Sequence, residues 1–163
     1  MSIPTRYIPK TLSNKDTKKQ YKNIVKSRKL YKKGVYYERP KVDSFVSKKS
    51  PHIKKAEELY NIHHITPSPE LAKKTKCGQP YLEKIVNKGR GAYFSSGSRP
   101  NQSAESWGLA RLASSITGGN ASVIDYHLLY EGCSPDSPAL KLATQTCKRK
   151  NKCKKYTMKN ILK

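Results

Sequence analysis

The sequence predicts a mainly α-helical protein, with one small helical domain, a candidate helix-turn-helix, and basic extensions at both ends. Three observations predict it. Serine–proline pairs recur at Ser50-Pro51, Ser68-Pro69 and Ser137-Pro138; each sets a serine N-cap before a proline at the first helical position, where a missing N–H costs nothing. Apolar residues recur at helical spacing, as in Leu109, Leu112, Ala113 and Ile116. Strand signals are poor; the best is Val35 to Tyr37, and it is short.

Taken in order, Ser13 with Asp16 starts a helix running toward Tyr31, with Tyr21, Ile24, Val25 and Arg28 on one face. The serine–proline pairs start helices at Pro51, Pro69 and Pro138. Ser103 precedes a helix that Gly118-Gly119 stops. Ser122 then caps a helix through VIDYHLLYE, ended by Gly132. These signals divide the chain into a basic extension with one helix (1–49), a compact helical domain (50–145) and a basic tail (146–163). No repeat is present.

The stretch PELAKKTKCGQPYLEKIVNKG is the most informative local pattern. Leu71 and Ala72 lie on a short helix, and Leu82, Ile85 and Val86 share a face of a second. Cys77 is the small apolar residue between them. That spacing fits a helix-turn-helix, whose second helix would present Gln79, Tyr81, Lys84 and Lys88 to a major groove, with Arg90 a further nucleic-acid-binding candidate. Lys73, Lys74 and Lys76 are then placed for phosphates. Lys76 stands where glycine commonly reaches positive φ, and Gly78 comes two residues later. The alternative is a pair of short packed helices with basic outer faces.

Charge indicates the partner. The chain carries 34 Lys+Arg against 11 Asp+Glu, a formal net charge of +23 on 163 residues. The excess lies in residues 1–91 and 146–163, around a near-neutral block that should hold the core. Such a field attracts phosphate backbones and releases their counterions. The tail reads as a flexible phosphate-binding arm. Acidic lipid fits less well, because no amphipathic stretch with an inserting aromatic face is present. No run approaches transmembrane length, and residues 1–10 lack the apolar core of a signal peptide. Tyrosine is abundant, at 11 against 2 Phe, and suits wet packing or base stacking.

A second anion site is a candidate in the Gly/Ser/Arg loop. Ser96, Ser98 and Arg99 precede the helix start at Ser103, and Arg111 lies within that helix. Hydroxyls, backbone amides and guanidinium groups at a helix N-terminus can hold a phosphate. The alternative is a tight structural turn in which Arg99 or Arg111 pairs with Glu105 or Asp125, and Trp107 is core.

The run GRGAYFSSGSRPNQSAESWGLARLASSITGG, with DYHLL soon after, resembles an uncharacterised domain of large DNA viruses of algae and amoebae. Shorter relatives in tailed phages carry a similar Trp-x-x-Ala-Arg…Gly-Gly core. SRKLYKKGVYYERPKV and LAKKTKC…LEKIVNKG also look like the viral members, so the resemblance covers most of residues 6–133. It implies a viral source, with the protein in the virion or in the cytoplasm or nucleus of the infected host cell. It implies no biochemical activity.

The remaining residues offer little reactive chemistry. Cys77, Cys133, Cys147 and Cys153 have irregular spacing, with no Cys-x2-Cys pair; free thiols are expected, and no metal site. Asp125 and His127 point apart on a helix, and the carboxylates of the neutral block are scattered, so no catalytic set and no cofactor is expected. The expected function is a virion-associated, non-enzymatic nucleic-acid-binding protein, DNA before RNA. The alternative is a minor capsid or internal virion protein whose basic extensions bind acidic capsid surfaces.

Overall fold

A computed structural model describes residues 2–156. The elements are a short 3-10 turn at Thr5–Tyr7 and helices α1 (Asn14–Lys32), α2 (Pro51–Tyr60), α3 (Pro69–Thr75), α4 (Gln79–Ser95), α5 (Ala104–Ile116), α6 (Asn120–Ile124), α7 (Tyr126–Gly132) and α8 (Pro138–Arg149). The mainly helical expectation holds. Among the described residues there is no strand. Residues 35–37 are irregular, with Val35 and Tyr36 exposed. All three serine–proline starts form as expected. Ser50 accepts from the His52 amide, Ser68 from Leu71 and Ser137 from Leu140.

The chain forms two compact units, residues 1–48 with 88–108, and residues 49–87 with 109–163. This division differs from the expected extension, domain and tail.

The first unit is built round α1. Its start is as the sequence indicates, with the Ser13 hydroxyl accepting from the Asp16 amide at 3.1 Å. Its buried face is not the expected one. Asp16, Gln20, Ile24 and Ser27 are buried, whereas Tyr21 is 54% exposed. Three of these four are polar, so their burial depends on hydrogen-bond partners. Gln20 donates to the Tyr7 carbonyl at 3.1 Å, Ser27 to the Phe94 carbonyl at 2.9 Å, and Asp16 accepts from the Ser44 amide at 2.8 Å. The Ser44 hydroxyl and the Ser44 amide, both donating to the Asp16 carboxylate, hold it below its ordinary pKa.

Arg39 is the hub of this unit. It is 9% exposed and donates to the Ser27 hydroxyl at 3.0 Å, the Tyr93 carbonyl at 2.6 Å and the Ser98 hydroxyl at 2.7 Å. Its guanidinium lies 3.8 Å from the centre of the Tyr93 ring. Burial lowers its pKa, and the ring and neutral acceptors offset that cost. Asn101 closes the unit from a left-handed conformation (φ 62), donating to the Phe45 carbonyl and accepting from the Val42 amide at 2.7 Å each. Gly97 has φ 129, and a Cβ there would stand 3.1 Å from Tyr7 and 3.3 Å from Ile24. The sequence needs glycine at that point for both reasons.

The second unit carries the larger apolar core, in which Leu71, Leu82, Ile85, Leu112 and Ile116 have no exposed surface. Each such side chain contributes roughly 1.5–3 kcal/mol of transfer free energy. Helices α6 and α7 pack on α8. The single helix expected from Ser122 is instead two, broken at Asp125 (φ −97, ψ 13). The buried Asp125 carboxylate accepts from Arg111 Nε at 2.9 Å, Arg111 Nη2 at 2.8 Å and the Ser115 hydroxyl at 3.0 Å. Ser122 lies inside α6, its hydroxyl donating to the Gly119 carbonyl at 2.6 Å.

Two expectations are corrected here. The cysteines are paired rather than free, Cys77 with Cys133 and Cys147 with Cys153. The tail is not an arm over its described length. Thr146 and Cys147 are buried in α8, and Tyr156 packs 5.7 Å from Tyr126 and 5.2 Å from Tyr130 between ring centres. The remainder of the expected arm, residues 157–163, lies outside the described residues.

Candidate nucleic-acid interface

Helix α3, a turn at Lys76 to Gly78, and α4 form the element to which the sequence pattern pointed. Proline at the first position and the Ser68 cap start α3. Leu71, Thr75, Cys77, Leu82 and Ile85 are all buried, so the apolar spacing read from the sequence is the inner face of this helix pair. Thr75 satisfies its hydroxyl on the Leu71 carbonyl at 2.8 Å. Lys76 takes the left-handed conformation, φ 57, that ends α3. For a residue with a Cβ this costs roughly 1–2 kcal/mol.

The segment after α7 holds the turn. The Ser134 amide donates to the Lys76 carbonyl at 2.9 Å and the Gly78 amide to the Gly132 carbonyl at 2.8 Å. Cys77 and Cys133 join the two segments covalently. The Lys76 ammonium is 2.5 Å from Asp136, and this bond, with one from the Ser134 hydroxyl, holds the Asp136 carboxyl down to about 2. Both side chains are more than half-way to full exposure or close to it, so the pair contributes little and can exchange for another anion.

The remaining site residues are distributed unevenly. Tyr81, Lys84 and Lys88 share one face of α4 at helical spacing, with Lys84 and Lys88 exposed. The Lys84 ammonium lies 4.7 Å from the centre of the half-buried Tyr81 ring. Gln79 lies about half a turn round the helix from Lys88, so it does not join that face. Lys73 is exposed, and Lys74 donates to the Asn61 carbonyl at 2.7 Å. Arg90 pairs with Glu105.

The Gly/Ser/Arg loop is placed differently from the expected anion site. Ser98 is buried; its hydroxyl accepts from Arg39 and donates to the Arg99 carbonyl at 2.8 Å. Arg111 is held by Asp125. Ser96 is exposed, and its carbonyl accepts from Arg28 Nε at 2.8 Å. Arg99 is exposed. Two of the four residues are thus occupied in structural bonds within their own units, as the tight-turn alternative has it for Arg111. Trp107 is half-buried, edge-on to Tyr7 at 5.8 Å. The clamp formed by Arg39 was not read from the sequence, where an Arg-Pro pair in a basic stretch gives no sign of burial.

Among the described residues no three His, Cys, Asp or Glu side chains come together as a metal site. Nor, among them, is any helix long and apolar enough to cross a membrane. Fold and surface together define a small, strongly basic, all-helical protein. It belongs to the family of unknown function DUF5824, whose profile matches residues 4–127. No curated protein and no solved structure matches the chain. The family match ends within α7, so α8 and the second disulfide lie beyond it.

Proposed function

We propose that the protein is a non-enzymatic nucleic-acid-binding protein whose partner is duplex DNA. The observation that carries this is charge. The first unit has 17 basic against 4 acidic side chains and the second 17 against 7. Both units are therefore suited to phosphate, and neither serves as a neutral scaffold. The α3–turn–α4 pair supports a groove-docking mode, with Tyr81, Lys84 and Lys88 facing the bases and Lys73 and Lys76 facing phosphates. A helix fits the major groove of B-form DNA, and the narrow one of A-form RNA does not admit it, which favours DNA. The resemblance to domains of large DNA viruses supports a role in the virion or the infected cell. There the rival is a minor capsid protein whose charge meets acidic shell proteins.

The test is binding to a duplex by Lys84→Ala/Lys88→Ala. Its affinity should fall with a salt slope lower by about two than that of the parent protein. An unchanged slope and affinity would remove groove docking. Cross-linking in intact particles that recovers shell proteins and no genome would favour the capsid rival.

A further inference from the structure

The first unit carries a charged surface, on α1, that the α3–turn–α4 reading does not use. Lys15, Lys18, Lys22, Lys26 and Lys29 on α1, with Lys33 just after it, are all exposed. At 100° per residue they fall within an arc of about 80°, and at 1.5 Å per residue they form a row about 27 Å long. The face opposite is the buried one, with Asp16, Gln20, Ile24 and Ser27.

Three features separate this row from an ordinary solvated helix face. Successive lysines are three or four residues apart, the spacing at which like charges on a helix repel. The one carboxylate of α1 is Asp16, and it is buried against Ser44, so α1 supplies no acid to relieve the row. Lys15, Lys18 and Lys19 also crowd the first turns, where the helix dipole disfavours cations. Lys19 turns aside to the Lys41 carbonyl at 2.9 Å, and Lys26 sits 4.5 Å over the Tyr37 ring, which bounds the row on one side. Such a helix is stabilised by meeting a regular array of anions.

We infer that this row of lysines is a sequence-independent binding surface for the phosphate backbone of duplex DNA. The inference rests on the nucleic-acid reading above, but not on groove docking. Lysine suits it, because an ammonium meets phosphate as a point charge, without the bidentate base recognition of arginine. The row is long enough to span about eight base steps. A membrane surface is disfavoured, because α1 has no exposed Leu, Phe or Trp to insert; its Leu30 is half-buried.

The experiment measures full-length protein against a fluorescent random-sequence duplex of about 24 base pairs across roughly 50–300 mM salt. Lys15→Gln/Lys18→Gln/Lys22→Gln/Lys26→Gln should lower the salt slope by about 3 to 4 and weaken binding at least about thirtyfold at low salt. Arginine at the same four positions should restore both. A control with the same change in charge, Lys54→Gln/Lys55→Gln/Lys141→Gln/Lys148→Gln, should move the slope by less than about one. Equal losses in the two quadruple variants would overturn the inference, since net charge alone would then explain them. So would an unchanged slope in the α1 variant, while leaving DNA binding itself intact. A parent protein that does not bind duplex at all would overturn the nucleic-acid reading and this inference together. If the α1 variant loses binding to phosphatidylserine vesicles but keeps duplex binding, the surface is a membrane site and the inference falls.

Discussion

Replacing Arg111 by methionine separates a structural role from a phosphate-binding one. Asp125 has no exposed side-chain surface, and Arg111 is 18% exposed. The two Arg111 bonds, at 2.9 and 2.8 Å, bring a guanidinium to the carboxylate, and the Ser115 hydroxyl donates to it at 3.0 Å. Arg111→Met keeps the aliphatic stem and leaves a buried carboxylate without its cation. Breaking one partner of a buried pair costs about 3–5 kcal/mol. For a chain of this size each kcal/mol lowers Tm by roughly 2–4 °C, so the expected drop is about 6–20 °C. Thermal unfolding followed by circular dichroism measures it. Arg111→Met/Asp125→Leu should recover part of the loss, because the double variant removes the uncompensated charge. At a temperature where Arg111→Met is folded, its DNA salt slope should equal that of the parent. A Tm change under about 2 °C with a slope reduced by about one would refute the reasoning. Arg111 would then be a phosphate ligand, and the loop preceding α5 would again be an anion site.

Two further outcomes follow from the second unit. Reductant should lower Tm, and Cys77→Ser/Cys133→Ser should cost about 4 kcal/mol, since that bridge closes a loop of 56 residues in sequence separation; the same melt with and without reductant checks it, and no difference would mean unpaired thiols. Gly132→Ala places a Cβ 2.2 Å from Tyr81 Cγ and should cost about 1–3 kcal/mol by overpacking against the base of α4; a chemical-denaturation midpoint equal to the parent's would contradict that packing.

Helix starts were legible in the sequence because their causes are local. A serine hydroxyl reaches an amide two or three residues on, and a proline at the first position fits without a lost bond, so Ser50, Ser68 and Ser137 declared themselves. The α3–turn–α4 packing was legible for the same reason, since Leu71, Cys77, Leu82 and Ile85 lie within fifteen residues. The first unit was hidden because its buried face is polar. Gln20 and Ser27 find their acceptors at Tyr7 and Phe94, and Arg39 its own at Tyr93 and Ser98, and apolar periodicity carries no sign of such bonds. The break at Asp125 has a distant cause as well, the carboxylate being fixed by Arg111 from α5. Disulfide pairing was hidden because partners separated by 56 and 6 residues share no local pattern. The tail looked like a solvated arm because its basic residues outnumber Cys147, Cys153 and Tyr156, the three that anchor it.

Lys76 marks where local reasoning was incomplete. A lysine at the position expected to need positive φ counted against the helix-turn-helix geometry. The turn reaches φ 57 there regardless, because Ser134, Gly132 and the Cys77–Cys133 bridge hold it. Tertiary bonds supply the conformation that glycine would have allowed at less cost.

The central claim is that this protein binds duplex DNA by neutralising phosphate. Its most direct test is the affinity of the full-length protein for a random-sequence duplex as salt is raised. A linear fall of log affinity with log salt is expected, with a slope of about −5 or steeper if at least six phosphates are engaged. A shallow slope of about −1, or dissociation constants weaker than about 0.1 mM at low salt, would contradict it.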